Sequence, residues 1–239
     1  MISVCVTTYN GGKFLKQQLD SILMQLGVND EVIISDDGST DNTLKIIESY
    51  SDKRIKLLHH QPEIDKFKFS LTTSNFENAL KHAIGDYIFF ADQDDIWKKN
   101  KVEECIKVLQ QGYDLILHDA EIIDEANNVI YESYFKINSS VPGISRNIVS
   151  NAYLGCCMVI RKRYLDKALP FPTIPVPHDM WIGLLYEYFG NVIYLEKKLL
   201  SYRRHGGNVS NAGEKSKNNI FFKLNYRVIF LFAFIKRIF

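Results

Sequence analysis

The apolar positions of this 239-residue chain change their period along its length. Near the start, ISVCVTTYN is short, continuous and rich in β-branched residues, the pattern of a strand buried on both faces. GGKFLKQQLDSILMQLG then repeats its apolar residues at helical spacing. EVIIS, RIKLLHH and DYIFFA read as further strands, with DDGST as a turn. TDNTLKIIESYS and SNFENALKHAIG read as helices. Thr40 or Asp41 is the expected N-cap of the first; Ser74 opens the second and Gly85 closes it. This βαβαβαβ alternation over residues 1–95 predicts a mainly parallel α/β sheet with helices on both faces.

The pattern loosens afterwards. Residues 100–111 read as a helix, YDLILHDAEIID as a strand and NNVIYESYF as an added strand. Residues 132–150 read as a polar loop region. GCCMVIRKRYL reads as a strand entering a helix. After the proline-rich PFPTIPVPHD comes the helix DMWIGLLYEYFG, then short strands in VIYLEKKLLSYRRH and a flexible loop in GGNVSNAGEKSKNN. No repeat and no clean linker interrupts this, so one mixed α/β domain over residues 1–213 is expected, with a tail over 214–239.

Charge changes the picture of that tail. The formal net charge is +1, but from Lys215 onward there are six Lys/Arg and no acid. The preceding body holds 23 basic and 28 acidic residues, hence −5 against +6. A weakly acidic body argues against nucleic acid as a partner. The uncharged run Val228–Ile235 is far short of the roughly 20 residues a spanning helix needs. Ile220, Leu224, Val228, Leu231, Ile235 and Ile238 share helical spacing, which suits a helix lying in the surface of an anionic membrane. A helix packed on the body or a homodimer interface is the alternative. Cys5, Cys105, Cys156 and Cys157 lack C-x-x-C spacing and read as buried, reduced thiols of a cytosolic protein. MISVCVTTYN reads as a strand, so no signal peptide is expected.

In an open parallel sheet, ligands bind beyond the carboxyl ends of the strands. Three predicted ends carry chemistry there: Thr7, Thr8, Tyr9 and Asn10; Asp36, Asp37, Gly38 and Ser39; Asp92, Gln93, Asp94 and Asp95. No phosphate-binding glycine loop is present, since YNGGKF lacks both G-x-x-x-x-G-K-[ST] and G-x-G-x-x-G. Clustered acids suit a hard divalent cation, Mg²⁺ or Mn²⁺, shared with a diphosphate. Asp92 and Asp94 alternate, so one suits the metal and the other a ribose hydroxyl. Asp36 and Asp37 are also ordinary turn residues, and Asp95 an ordinary N-cap for a helix leading into Trp97.

VTTYNGGKFLKQQLDSI, VIISDDGSTDNT, GDYIFFADQDDIW, HDMWIGLLYEYFG and YRRHGGNVS together resemble family 2 glycosyltransferases of the GT-A fold. D-Q-D-D-x-W with a later H-D-x-W and Y-R-x-H-x-x-N is most similar to bacterial rhamnosyltransferases, and the resemblance spans about residues 2–210. It implies inverting transfer of a sugar, L-rhamnose from dTDP-rhamnose or a hexose from a UDP-sugar. The acceptor implied is a hydroxyl of a lipid-linked or growing cell-surface polysaccharide. Thr7, Tyr9, Asp36 and Asp37 would hold the nucleoside, Asp92 the ribose or metal, and Asp94 the metal. Asp179 matches the catalytic base; His178 stands where the wider family has Glu. His205 matches a late histidine that completes metal or diphosphate binding.

Beside this resemblance, bland readings stay open. Asp179 also suits the N-cap of a helix from Met180, and His205 a solvated loop. Arg203 and Arg204 are further diphosphate partners, residues 206–217 a loop that closes over the donor. His178, Trp97 and Trp181 are candidates for the sugar or acceptor site, with core packing the alternative for both tryptophans. A nucleotidyltransferase and a non-catalytic, membrane-bound partner protein are the competing functions. The expected location is peripheral, on the cytoplasmic face of the membrane.

Overall fold

The computed structural model describes residues 1–61, 68–208 and 220–239. Strands β1 (Ile2–Thr8), β2 (Glu31–Asp36), β3 (Ile55–His59) and β4 (Tyr87–Asp92) alternate with helices α1 (Leu15–Leu23), α2 (Thr43–Glu48) and α3 (Lys68–His82). All pairings among these strands are parallel, in the order β3-β2-β1-β4. Every residue of β1 and β2 is buried, which explains their unbroken apolar runs.

The chain continues through β5 (Ile96–Trp97), α4 (Lys101–Leu109), β6 (Leu115–Ile123), β7 (Val129–Tyr131), α5 (Tyr134–Asn138), α6 (Ile144–Val149), β8 (Met158–Arg161), α7 (Leu165–Ala168), α8 (His178–Phe189), β9 (Val192–Arg203) and α9 (Ile220–Ile238). β8 inserts antiparallel between β4 and β6, β9 runs parallel to β6, and β5 closes the edge antiparallel to β9. The sheet is therefore mainly parallel at one side and mixed at the other.

Several local expectations shift. α3 already runs from Lys68, so Ser74 lies inside it and its hydroxyl donates to the Leu71 carbonyl. Gly85 lies beyond the helix, where a Cβ would stand 2.6 Å from the Ser3 nitrogen; the glycine permits that close approach. Residues 132–150 contain two short helices instead of a loop. Ser133 accepts from the Lys136 N–H as N-cap of α5, and Phe135, Ile137, Ile144 and Ile148 pack on the core. β9 is one twelve-residue strand. Its exposed Glu196–Lys198 coincides with register shifts against β6, which is why the pattern reads as two pieces. Asp95 precedes strand β5 and caps no helix.

The tail forms α9, which packs on α6 and α8. Phe230 and Phe234 are buried in the common core, Phe230 edge-on to Trp181. Arg227 donates to the Val149 carbonyl, and Arg237 to the carbonyls of Lys167, Leu169 and Pro170.

Candidate active site

The carboxyl ends of β1, β2 and β4 open into a cleft of about 420 Å³. Thr7, Thr8, Tyr9 and Asp37 from the ends of β1 and β2, Asp92, Gln93 and Asp94 from the end of β4, and His178 and Asp179 line it together. Tyr9 is 58% exposed at the rim and leaves a ring face open to a flat ligand. Asp37 is buried and pairs through Oδ1 with His60 Nδ1 at 2.6 Å. Burial raises its carboxyl above the ordinary range, against the opposing pull of His60.

Acids crowd the end of β4. Burial first, then the charges of Asp94 and Asp179, push Asp92 up to about 7. Asp95 is fully buried and raised well above its usual range by burial, Asp94 and Asp92. Two buried cations lie behind them. Lys101 sits over the Trp97 ring at 4.3 Å and donates to the Cys156 carbonyl. Arg203, 1% exposed, donates from Nε to the Asp94 carbonyl, from Nη1 to Asn127 Oδ1 and from Nη2 to Gln17 Oε1. Its backbone N–H donates to Asp95 Oδ1. The acid loop is thus held from beneath by charge-assisted bonds.

A divalent cation fits this donor set. Asp92 and Asp94 are hard oxygen donors facing the cleft, and a cation there would relieve the crowding that burial makes costly. Asp92, Asp95 and Cys156 also offer ligand atoms within 4.8 Å of one another. Burial keeps the Cys156 thiol protonated, with its pKa well above the usual value, so it is a poor ligand for a hard ion. His205 Nε2 lies 2.7 Å from Asp94 Oδ2, and its Nδ1 accepts from the Gly207 N–H. This assigns the proton to Nε2, so His205 orients Asp94.

α8 begins at His178 and Asp179, which line the same cleft. Burial pushes the Asp179 carboxyl up to about 6. The His178 ring lies tilted against Phe76, with centroids 4.2 Å apart, and burial lowers it to about 3, a neutral imidazole at physiological pH. It occupies space that Gly155 leaves open, since a Cβ there would lie 2.5 Å from Nε2. A raised carboxylate, a neutral imidazole and clustered acids in one cleft provide a base and a cation site together.

The family model for glycosyl transferase family 2 matches residues 3–169. The chain belongs to glycosyl transferase family 2. Among curated relatives, a UDP-Glc:α-D-GlcNAc-diphosphoundecaprenol β-1,3-glucosyltransferase of Escherichia coli is 30% identical over 191 residues, covering 78% of this chain and 70% of that protein. A dTDP-rhamnosyl transferase of Shigella flexneri is 29% identical over 246 residues, covering 93% and 77%. S. aureus TarS in complex with UDP-GlcNAc superposes with a TM-score of 0.68 at 22% identity, covering 95% of this chain. The chain spans 65% of that TarS structure and 66% of an uncharacterized Nostoc glycosyltransferase that is 28% identical. The enzyme class and the GT-A fold implied by the sequence motifs agree with these findings.

In this glycosyltransferase, Thr7, Tyr9, Asp37, Asp92, Asp94, His178 and Asp179 come together along the cleft. His205 reaches the cleft through its bond to Asp94, and four other expected site residues lie elsewhere. Asp36 is fully buried and builds the turn, accepting from the Thr8 and Ser39 hydroxyls and the Gly38 and Ser39 N–H groups. Arg203 lies beneath the acid loop with its guanidinium consumed by protein acceptors, so it is no diphosphate ligand. Trp97 packs on Phe89 and Lys101. Trp181 is fully buried and donates from Nε1 to the Ala168 carbonyl. Both tryptophans serve the core. Of the proposed closing loop, residues 209–217 lie outside the described residues.

The sequence signalled no role for His60 or Asn151, and it placed Gln93 at a chemistry-bearing strand end and Asn208 in the Y-R-x-H-x-x-N motif without a role for either. Gln93 accepts from the Tyr9 N–H and donates to the Tyr9 carbonyl. Asn208 accepts from the His205 N–H and donates to the Arg203 carbonyl. A hydrogen bond from Asn151 favours the ionised form of Asp179. His60 ends the predicted strand RIKLLHH and lies just past the observed β3, which places it at the same sheet end as the acids.

Proposed function

We propose that this enzyme transfers a sugar, with inversion, from a pyrimidine nucleoside diphosphate to a hydroxyl of a lipid-linked or growing cell-surface glycan. The observation that carries the reading is Asp179, a carboxyl raised to about 6 that lines the same cleft as Asp92 and Asp94. In the step proposed, Asp179 takes the proton of the acceptor hydroxyl. The acceptor oxygen bonds to the anomeric carbon, and the bond from that carbon to the diphosphate breaks. Thr7 and Tyr9 would receive the nucleoside, with Asp37 accepting from the pyrimidine N3–H and His60 fixing its orientation. Asp92 and Asp94 would hold Mg²⁺ or Mn²⁺, which when bound neutralises charge on the departing diphosphate. Mn²⁺ accompanies GDP-mannose in a mannosyltransferase of the same fold from Pyrobaculum calidifontis, which superposes at a TM-score of 0.62.

The favoured donor is dTDP-rhamnose, supported by the Shigella relative; a UDP-hexose is the second reading, supported by the Escherichia coli relative and its lipid-linked acceptor. A thermal-shift panel of nucleotide sugars, with and without Mn²⁺, separates them. Stabilisation by dTDP-rhamnose that vanishes on chelation supports the first, and stabilisation by UDP-glucose the second. Absence of stabilisation by every pyrimidine nucleotide would refute both. Asp179→Asn should keep donor affinity while transfer falls about 10²–10⁴-fold, the usual worth of a general base.

A further inference from the structure

Helix α9 carries two apolar faces, and the body uses one. Tyr226, Phe230, Ala233 and Phe234 pack against the core. On the opposite side, Val228, Leu231, Phe232 and Ile235 repeat at helical spacing and remain 53%, 38%, 73% and 45% exposed. Phe232 is the most exposed of these, an aromatic ring held outward from a helix anchored on its other side.

Charge identifies what this stripe fits. Lys236 is exposed, and the chain from Lys215 onward has no acid. Arg227 and Arg237 are anchored to backbone carbonyls, which take up hydrogen bonds without cancelling charge. A second copy would bring this acid-free, basic segment against itself, at a Coulombic cost. An anionic lipid surface offers both an apolar layer for the stripe and countercharge for the exposed Lys236 beside it. Among the described residues, no helix is long and apolar enough to cross a membrane.

We propose that the outer face of α9 docks in the plane of an anionic bilayer. The placement has a consequence for the cleft. α9 packs on α8, the helix that begins with His178 and Asp179, and the Tyr226 phenol is raised first by burial and then by the charge of Asp179. A docked α9 would therefore hold the wall of the cleft that bears Asp179 close to the lipid surface. This inference stands on the helix alone and does not depend on the acceptor proposed above.

The test uses the full chain and flotation with phosphatidylcholine vesicles, with and without phosphatidylglycerol. Partition onto the anionic vesicles, weakened by salt, is expected. Phe232→Ser combined with Ile235→Ser should lower it about tenfold or more, given some 25 cal/mol for each Å² of apolar surface withdrawn from water. Both positions are exposed, so circular dichroism should match the parent. Lys236→Glu, which removes no apolar contact, should also weaken partition. Equal flotation of the double variant, equal binding to neutral vesicles, or no flotation overturns the proposal. A dimer of the parent that dissociates in the double variant, without flotation, would assign the stripe to a second copy instead.

Discussion

Arg203→Lys separates a residue that builds the site from one that touches the substrate. The change keeps the charge and removes the planar fork. In the parent, three side-chain bonds of 2.8 Å reach Asp94 O, Asn127 Oδ1 and Gln17 Oε1. An ammonium on a flexible stem recovers about one of them, and a lost bond to a charged group costs about 1.5–3 kcal/mol. Asn127 and Gln17 are exposed residues that water can satisfy again, whereas the Asp94 carbonyl faces the buried guanidinium. The net loss should be about 2–3 kcal/mol, lowering Tm by about 4–12 °C for a chain of this size. Thermal unfolding followed by circular dichroism measures it, with UDP and dTDP affinities taken in parallel by calorimetry. Those affinities should fall by less than tenfold. Stability within about 0.5 kcal/mol of the parent, together with a much larger loss of nucleotide affinity, would show that the guanidinium meets the diphosphate and would refute the positioning role.

Other outcomes follow from the same geometry. With Asp179 raised to about 6, transfer should increase with pH through that value and then level, because only the ionised carboxylate accepts the proton; an activity independent of pH there excludes it as the base. For Asp92, a folded pKa raised to about 7 means that the folded state binds its proton more tightly than the unfolded chain, so stability falls as pH rises through that window. Asp92→Asn in chelator should accordingly be more stable than the parent near pH 8, by at most about 4 kcal/mol, with a smaller advantage near pH 5. A destabilised variant at the higher pH contradicts this. Gly155→Ala should cost about 1–3 kcal/mol and reduce transfer, since its Cβ would stand 2.5 Å from His178 Nε2. Unchanged kinetics in that variant would mean that the imbalance is absorbed without moving His178.

The parallel half was legible because strands buried on both faces leave unbroken apolar runs, and turn residues mark where they stop. The later half was harder for identifiable reasons. β8 enters the sheet antiparallel between β4 and β6, and a strand's own pattern carries no direction. α5 and α6 are too short for their period to stand out among polar neighbours. At the site, clustered carboxylates announce themselves by type, so Asp92 and Asp94 stood out, whereas Asp179 and His178 were picked out by the resemblance of HDMW to a family motif; all four line one cleft. Arg203 was misplaced for the same reason: a cation beside acids resembles a ligand until its acceptors are seen. Gln93 and Asn208 lay inside the motifs, but a neutral amide does not show its partners in sequence, so their bonds to Tyr9, His205 and Arg203 emerged only in the structure.

Gln93 constrains how such a cleft can change. The β1–β4 ladder ends where Thr7 pairs with Asp92, and the Gln93 amide, matched to both backbone groups of Tyr9, supplies one more rung beyond it. A Cβ on Gly11 would stand 2.1 Å from that side chain, so the turn after Tyr9 is shaped around it. The aromatic rim and the acid loop are therefore one mechanical part. A graft that exchanges the D-Q-D segment for another sequence must carry the Tyr9–Gly11 turn with it, or the two halves of the nucleotide cradle will be set at different heights.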